Sequence, residues 1–276
     1  MTDYFDPVQP FFVFYSDCYY KKIIAHLPIA HFYRFTCKNQ QEVQTIQNTV
    51  VPDGAIDVIF SCNPYQPTAF VAGSVEVAGT NIFQEQTSYF GVRFLPGISD
   101  HFGKISAKEI VGVSENFVQV TGRADVMEKI CTATSFEQQI SEFMTSFGDF
   151  INADTKNGNT LLIAGILQKI FQDAGNLKIQ DLENILHYSR RHLVRVFTDF
   201  TGMNIKHFSN IIRFQKALTA INHGQYSSIV DISMENGYYD QTHFQKDFRK
   251  FARMTPGNYC RLIAGIHYLN RITIIE

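Results

Sequence analysis

Two sets of donor-bearing side chains in the last third of the chain have the chemistry to read a polyanion. Arg190, Arg191, Val194, Arg195 and Thr198 fall together on the outward side of one short predicted helix. Three guanidinium forks on one face suit phosphates and guanine edges, both of which accept a planar guanidinium bidentately. Gln241, Thr242, Gln245, Lys246 and Arg249 form a second such set further on. Amide and cationic side chains are what a reader of the major groove needs.

The elements that must hold these sets are one unit written twice. A shift of 51 positions brings Ser189 onto Asp240, Leu193 onto Phe244, Phe197 onto Phe248, Phe200 onto Phe251 and Met203 onto Met254. Each copy reads as a short helix, a turn and a capped amphipathic helix, which is a helix-turn-helix pattern. Ser189 and Asp240 are N-cap residues, each accepting an orphan amide of the first turn. Leu193, Val196, Phe197 and Phe200 form the buried stripe of the first copy, and Phe244, Phe248 and Phe251 that of the second. Residues 205–223 between the copies read as one long helix with Phe208, Ile211, Ile212, Leu218 and Ile221 buried. A single helix fixes the separation of the two readers, which must be about 34 Å for both to enter one face of DNA.

On these residues the stretch resembles the DNA-binding domain of AraC-type bacterial transcription regulators. The telling segment runs Ile232-Ser233, Gly237-Tyr238-Tyr239-Asp240-Gln241, His243-Phe244, Phe248, then Thr255-Pro256-Gly257 and Tyr259. Ser189, His192-Leu193, Arg195, Phe197, Gly202, Arg213 and Ala217 support it in the first copy. The resemblance implies base contacts from Arg191, Val194 and Arg195, and from Gln241, Thr242, Gln245 and Lys246. Val194, where the family often has a polar residue, suits a thymine methyl. Three positions depart from the pattern: Glu183 where a small residue is usual, His187 where glycine is usual, and Ile205 where proline is common. A glutamate between packed helices needs a partner, since an unpaired buried carboxylate is costly.

The chain has 276 residues, which predicts two domains. Residues 166–265 carry 13 Lys+Arg against 8 Asp+Glu, and residues 1–165 carry 10 against 17. A basic C-terminal half beside an acidic N-terminal half fits a nucleic-acid binder joined to a domain that avoids phosphate. The start of the chain lacks a basic segment followed by an apolar run, so no signal peptide is expected. No stretch reaches eighteen uninterrupted apolar residues, so no membrane contact is expected. Cys18, Cys37, Cys62, Cys131 and Cys260 are scattered and odd in number, which points to free thiols in a cytoplasmic, reducing setting.

Residues 1 to about 100 read as strand-rich, with apolar runs at 11–15, 50–51, 56–60, 69–73 and 89–94. Turn formers at Pro52-Asp53-Gly54, Asn63-Pro64 and Pro96-Gly97 separate several of these runs. The family commonly carries a cupin-like barrel there, and residues 51–57 with 91–97 resemble one of its N-terminal subtypes. Arg93 stands in an otherwise apolar strand, either as a paired structural arginine or as an anchor for an anionic ligand. From about residue 106 the period turns helical. Ser135 and Gln138 have capping-box form, and Phe136, Ile140, Phe143, Met144, Phe147, Phe150 and Ile151 follow on one face. That face packs on the barrel or forms a dimer seam. Residues 152–159 are the linker candidate, with a helix-start signal at Thr160, and the apolar tail from Ile266 is expected to pack on the last helix.

The expected fold is therefore α+β: an N-terminal cupin-like β-barrel with a helical dimer or linker region (1–155), then an all-α domain with two helix-turn-helix motifs (156–276). The expected function is sequence-specific transcription regulation through double-stranded DNA, controlled by a small molecule in the N-terminal domain. The alternative is control by dimerisation or a protein partner. RNA polymerase and a second copy of the chain are the further candidate partners. An enzyme is not expected: the barrel region lacks a nucleophile–base pair, and no His-x-His exists to start a metal cupin site. His26, His31 and His101 are ordinary histidines in this reading, and no cofactor or metal is implied.

Overall fold

The structure, a computed structural model, describes residues 5–37, 45–96, 105–151 and 158–275. Gly97, His101 and residues 152–157 of the expected linker lie outside these, as do the side chains of Phe150 and Ile151. The first element is a one-turn helix, α1 (Pro10–Phe14), where the apolar run predicts a strand. Pro10 takes the first helical turn, where a missing N–H costs nothing, and all five side chains are buried. A continuous apolar run has no period by which to choose between helix and strand.

Among the described residues seven strands follow: β1 (Ser16–Lys22), β2 (Ile29–Cys37), β3 (Thr45–Val50), β4 (Ile56–Cys62), β5 (Thr68–Ala72), β6 (Gly79–Gln84) and β7 (Ser88–Phe94). Then come α2 (Ala107–Ile110), β8 (Ser114–Asn116), α3 (Phe117–Thr121), α4 (Ala124–Thr132) and α5 (Phe136–Ile151). The C-terminal helices are α6 (Gly158–Gln172), α7 (Ile179–Leu186), α8 (Arg190–Thr201), α9 (Ile205–Asn222), α10 (Ile229–Glu235), α11 (Gln241–Ala252) and α12 (Pro256–Ile266). A short 3-10 turn leads into a last strand, β9 (Ile272–Ile275). The fold is α+β, sheet-rich at the front and helical behind.

The larger sheet has the order β8-β5-β4-β7-β2-β1-β9, and β3 pairs with β6 as a separate hairpin. The expected barrel is cupin-like only broadly, because it does not close. The outer edge of β1 pairs with β9, which runs parallel to it with Tyr19 opposite Ile272 and Lys22 opposite Ile275. The tail thus joins the sheet of the N-terminal domain instead of packing on the last helix alone.

Alternation along the strands sends side chains to two layers. Phe32, Phe60, Phe90 and Phe94 face α3 to α5, where they meet Phe117, Phe136 and Phe143. The phenylalanine stripe of α5 is therefore packed on the sheet, with the Phe143 ring 6.0 Å from Phe32 and 6.3 Å from Phe94. Tyr33, Phe35, Ile59 and Tyr89 point the other way, into one core shared with α1, Phe83 of β6 and the C-terminal helices. Gln215 of α9 stitches this seam: its Oε1 accepts the Val8 N–H at 2.9 Å and its Nε2 donates to the Pro52 carbonyl at 2.8 Å. Gly54, at φ +77°, sits under the Phe208 ring, where any Cβ would collide. Among the described residues no helix is long and apolar enough to cross a membrane.

Candidate nucleic-acid interface

Each reader helix begins as its sequence dictates. Ser189 Oγ accepts the His192 N–H at 3.4 Å to start α8, and Asp240 Oδ1 accepts the His243 N–H at 2.7 Å to start α11. Gly202 (φ +76°) and Arg253 (φ +56°) close them in left-handed conformations. The stripes go inward as their spacing requires: Leu193, Val196 and Phe197 are buried in α8, and Phe244, Phe248 and Phe251 in α11. Phe200 is only half-buried.

The three unusual positions each have a local solution. Glu183 is half-buried in α7, and its Oε1 accepts the Arg190 N–H at 2.6 Å, an orphan donor of the next helix. His187 holds the left-handed turn at φ +57°, a conformation that costs a non-glycine residue a little. Ile205 is buried at the start of α9, and Asn204 supplies the cap by accepting from the His207 N–H at 2.9 Å.

The outward sets are placed as follows. Arg190, Arg191 and Arg195 are exposed on α8, and Gln241, Thr242, Gln245, Lys246 and Arg249 are exposed on α11. Val194 departs from its expected outward position: it is half-buried and leans on the core, because it borders Leu193 at the margin of the stripe. Arg195 lies 3.8 Å from Asp199 and 3.4 Å from His192 Nδ1. Both contacts are exposed and weak, so the guanidinium can leave them for a stronger acceptor. The spacer α9 has 18 residues, about 27 Å at 1.5 Å per residue.

Two cations lie beyond the reach of the periodicity. Lys178 and Lys206 are exposed and, with Arg190 and Arg213, line a groove of about 340 Å³ between α7 and α9. Lys178 precedes α7 and Lys206 lies in the first turn of α9. Helix starts disfavour cations, so neither lysine is placed there to stabilise its own helix. Arg213 is a structural tie, its guanidinium 4.4 Å from the centre of the Tyr238 ring and 3.5 Å from Asp247.

Arg93, the candidate anion anchor, has no exposed surface. Its Nε donates to Asp57 Oδ1 at 2.9 Å, its Nη2 donates to Asp57 Oδ2, and its Nη1 lies 3.6 Å from Asp53. The rings of Tyr33 and Phe12 flank it at 5.5 and 5.7 Å. Burial alone would push the guanidinium down, but Asp57 and Asp53 hold it firmly protonated. With two carboxylates on one cation, the cluster has no charge left for an anionic ligand. Arg93 is a paired structural arginine.

Residues 182–261 match a helix-turn-helix domain family, and residues 26–115 match a domain of unknown function (DUF6597). An uncharacterized HTH-type transcriptional regulator of Haemophilus influenzae is 26% identical over 140 residues, 51% of this chain and 45% of the relative. One from Staphylococcus aureus is 29% identical over 84 residues, 30% of this chain and 11% of the relative. The chain thus spans less than half the length of the curated relatives it matches. Among solved structures, ToxT of Vibrio cholerae aligns at a TM-score of 0.42 with 13% identity, over 85% of this chain and 97% of that one. With its doubled unit and its regulator relatives, the C-terminal segment 182–261 is a helix-turn-helix domain of the AraC type, similar to those of HTH-type transcriptional regulators.

Proposed function

We propose that the chain is a sequence-specific regulator of transcription that places α8 and α11 in adjacent major grooves and is controlled by a small molecule held in its N-terminal domain. The observation that carries the DNA reading is the pair of exposed donor faces on separately capped helices, joined by one rigid spacer. Arg191 and Arg195 are assigned to base edges in the first groove, and Gln241, Thr242, Gln245 and Lys246 to those in the second. Arg190, Arg249, Lys178 and Lys206 are assigned to phosphates, which position without specifying.

Control by a small molecule is favoured by the open space between the sheet and the β3–β6 hairpin. Control by dimerisation is less favoured, because the apolar face of α5 that would form a seam is already packed on the sheet. Contact with RNA polymerase remains part of the regulator reading. Selection of bound sites from random DNA by the full chain tests the proposal. It should recover two short conserved blocks whose centres lie about 10 base pairs apart. Recovery of one block, or of none, would contradict a double reader.

A further inference from the structure

Two neighbouring cavities, of about 130 and 420 Å³, lie between the β4–β5 face of the sheet and the β3–β6 hairpin. They share Ile59, Ala72, Asn81 and Ser114 as walls. Among the described residues no Lys, Arg or His lines either one. The charged walls of the smaller cavity are Asp53 and Asp57, both served by Arg93, and the other polar walls of the two cavities are amides and hydroxyls. Ser74 lines the smaller cavity, is only 8% exposed, and its Oγ has no hydrogen-bond partner. Buried hydroxyls are rarely left unsatisfied, so this wall has a free hydrogen-bonding position.

The same stretch of chain holds the end of the second reader. Thr80, a wall of the smaller cavity, accepts through its Oγ1 from Arg253 Nη1 at 2.7 Å. Arg253 is the residue that closes α11. Two positions earlier, the Ala78 N–H donates to the Lys250 carbonyl at 3.3 Å, in the last turn of α11. The Glu76 carbonyl lies 2.9 Å from His207 Nε2, in the first turn of the spacer α9. Residues 74–80 therefore touch the cavity on one side and both the reader and its spacer on the other.

We infer that this trough takes an uncharged or cationic small molecule bearing hydroxyl or amine groups, and that its occupancy is passed to α11 through residues 74–80. An anion is disfavoured there because the smaller cavity's walls carry two carboxylates to the one cation Arg93, and among the described residues the larger cavity offers no cation. A ligand that hydrogen-bonds Ser74 or crowds Gly79 and Thr80 shifts the segment that seats Arg253. The inference rests on the regulator reading above and adds the ligand's class and its route to the DNA-binding surface.

The test builds the occupant into the protein. Ala72→Leu and Ser114→Leu each fill space from a wall that the two cavities share, so one serves if the other fails to fold. Each is made in the full wild-type chain and in a Thr80→Val/Arg253→Gln background, and affinity for the selected DNA site is measured. A filled cavity should change Kd by about five-fold or more in the wild-type background, the low end of ordinary coupling, and by less than about two-fold in the uncoupled one. Equal shifts in both backgrounds, or no shift from a folded filled variant, overturn the coupling. A wild-type chain that selects no DNA site overturns the regulator reading and the inference with it. Melting scans with cyclohexanol, cyclohexylamine and cyclohexanecarboxylate test the class: greater protection by the alcohol or amine supports it, and greater protection by the carboxylate contradicts it.

Discussion

Glu183 accepts the backbone N–H of Arg190 at 2.6 Å, so a carboxylate on one helix closes the first turn of the next. A residue that looks like an intruder between packed helices is a cap delivered from seven residues upstream. Glu183→Ala should cost about 1 kcal/mol, the usual worth of a helix cap, while Glu183→Gln keeps an acceptor oxygen and most of the stability. Urea midpoints of the two variants check this. An alanine variant as stable as wild type would mean that the bond contributes nothing.

Arg93 should behave as half of a buried pair. Arg93→Met strands Asp57 and Asp53 in the core and is expected to cost about 3–5 kcal/mol. Combining it with Asp57→Leu should recover part of that stability, because only Asp53 then stays as a buried carboxylate, and it keeps its bonds from Gln9 Nε2 and the Ala55 N–H. A single variant that folds as wild type but no longer responds to a carboxylate ligand would restore the anchor reading.

His31 gives the fold a pH dependence with a definite sign. Its side chain is 2% exposed and bonded to Asp6 at 3.1 Å. Burial, aided by the Lys21 charge, pushes the imidazole down to about 3, against the pull of Asp6. The unfolded chain protonates its histidine near the ordinary value of about 6.5. Stability is therefore full above that pH and falls as pH drops toward 3, by up to about 1.4 kcal/mol per unit. His31 and Lys21 hold the Asp6 carboxyl below its usual range despite burial, so its contribution disappears at still lower pH. Denaturation midpoints between about pH 6.5 and 4 should slope for wild type and flatten for His31→Asn.

Lys178 and Lys206 should act on DNA without choosing its sequence. Replacing both by alanine is expected to weaken every DNA tested alike and to lower the salt slope by about two, close to one unit for each phosphate that is no longer neutralised. A relaxed preference at one base pair would instead make either lysine a base reader.

The C-terminal domain is the legible half, for a physical reason. Caps at Ser189 and Asp240, the inward stripes and the left-handed turn at His187 are decided within three or four residues. The rest depends on partners far along the chain. The run Phe11–Tyr15 carries no period, and only its burial among Tyr33, Phe83 and Tyr259 accompanies a helix there. Ile272 to Ile275 form a strand because β1, some 250 residues earlier, offers an edge to pair with. Val194 defies its spacing because its place at the stripe's margin depends on how α8 is rotated against the core. Lys178 and Lys206 lie outside the reader helices, where periodicity says nothing.

Sequence-specific regulation by this chain requires α8 and α11 to act as readers. The decisive measurement is binding of the full chain to its selected site and to unrelated DNA across a salt series, for wild type, Arg191→Ala/Arg195→Ala and Gln245→Ala/Lys246→Ala. Each pair should cost at least about 1–3 kcal/mol on the selected site, and each should relax preference in its own half of that site. Equal weakening on every DNA tested, with the preference intact, would reduce these side chains to phosphate contacts and contradict the account.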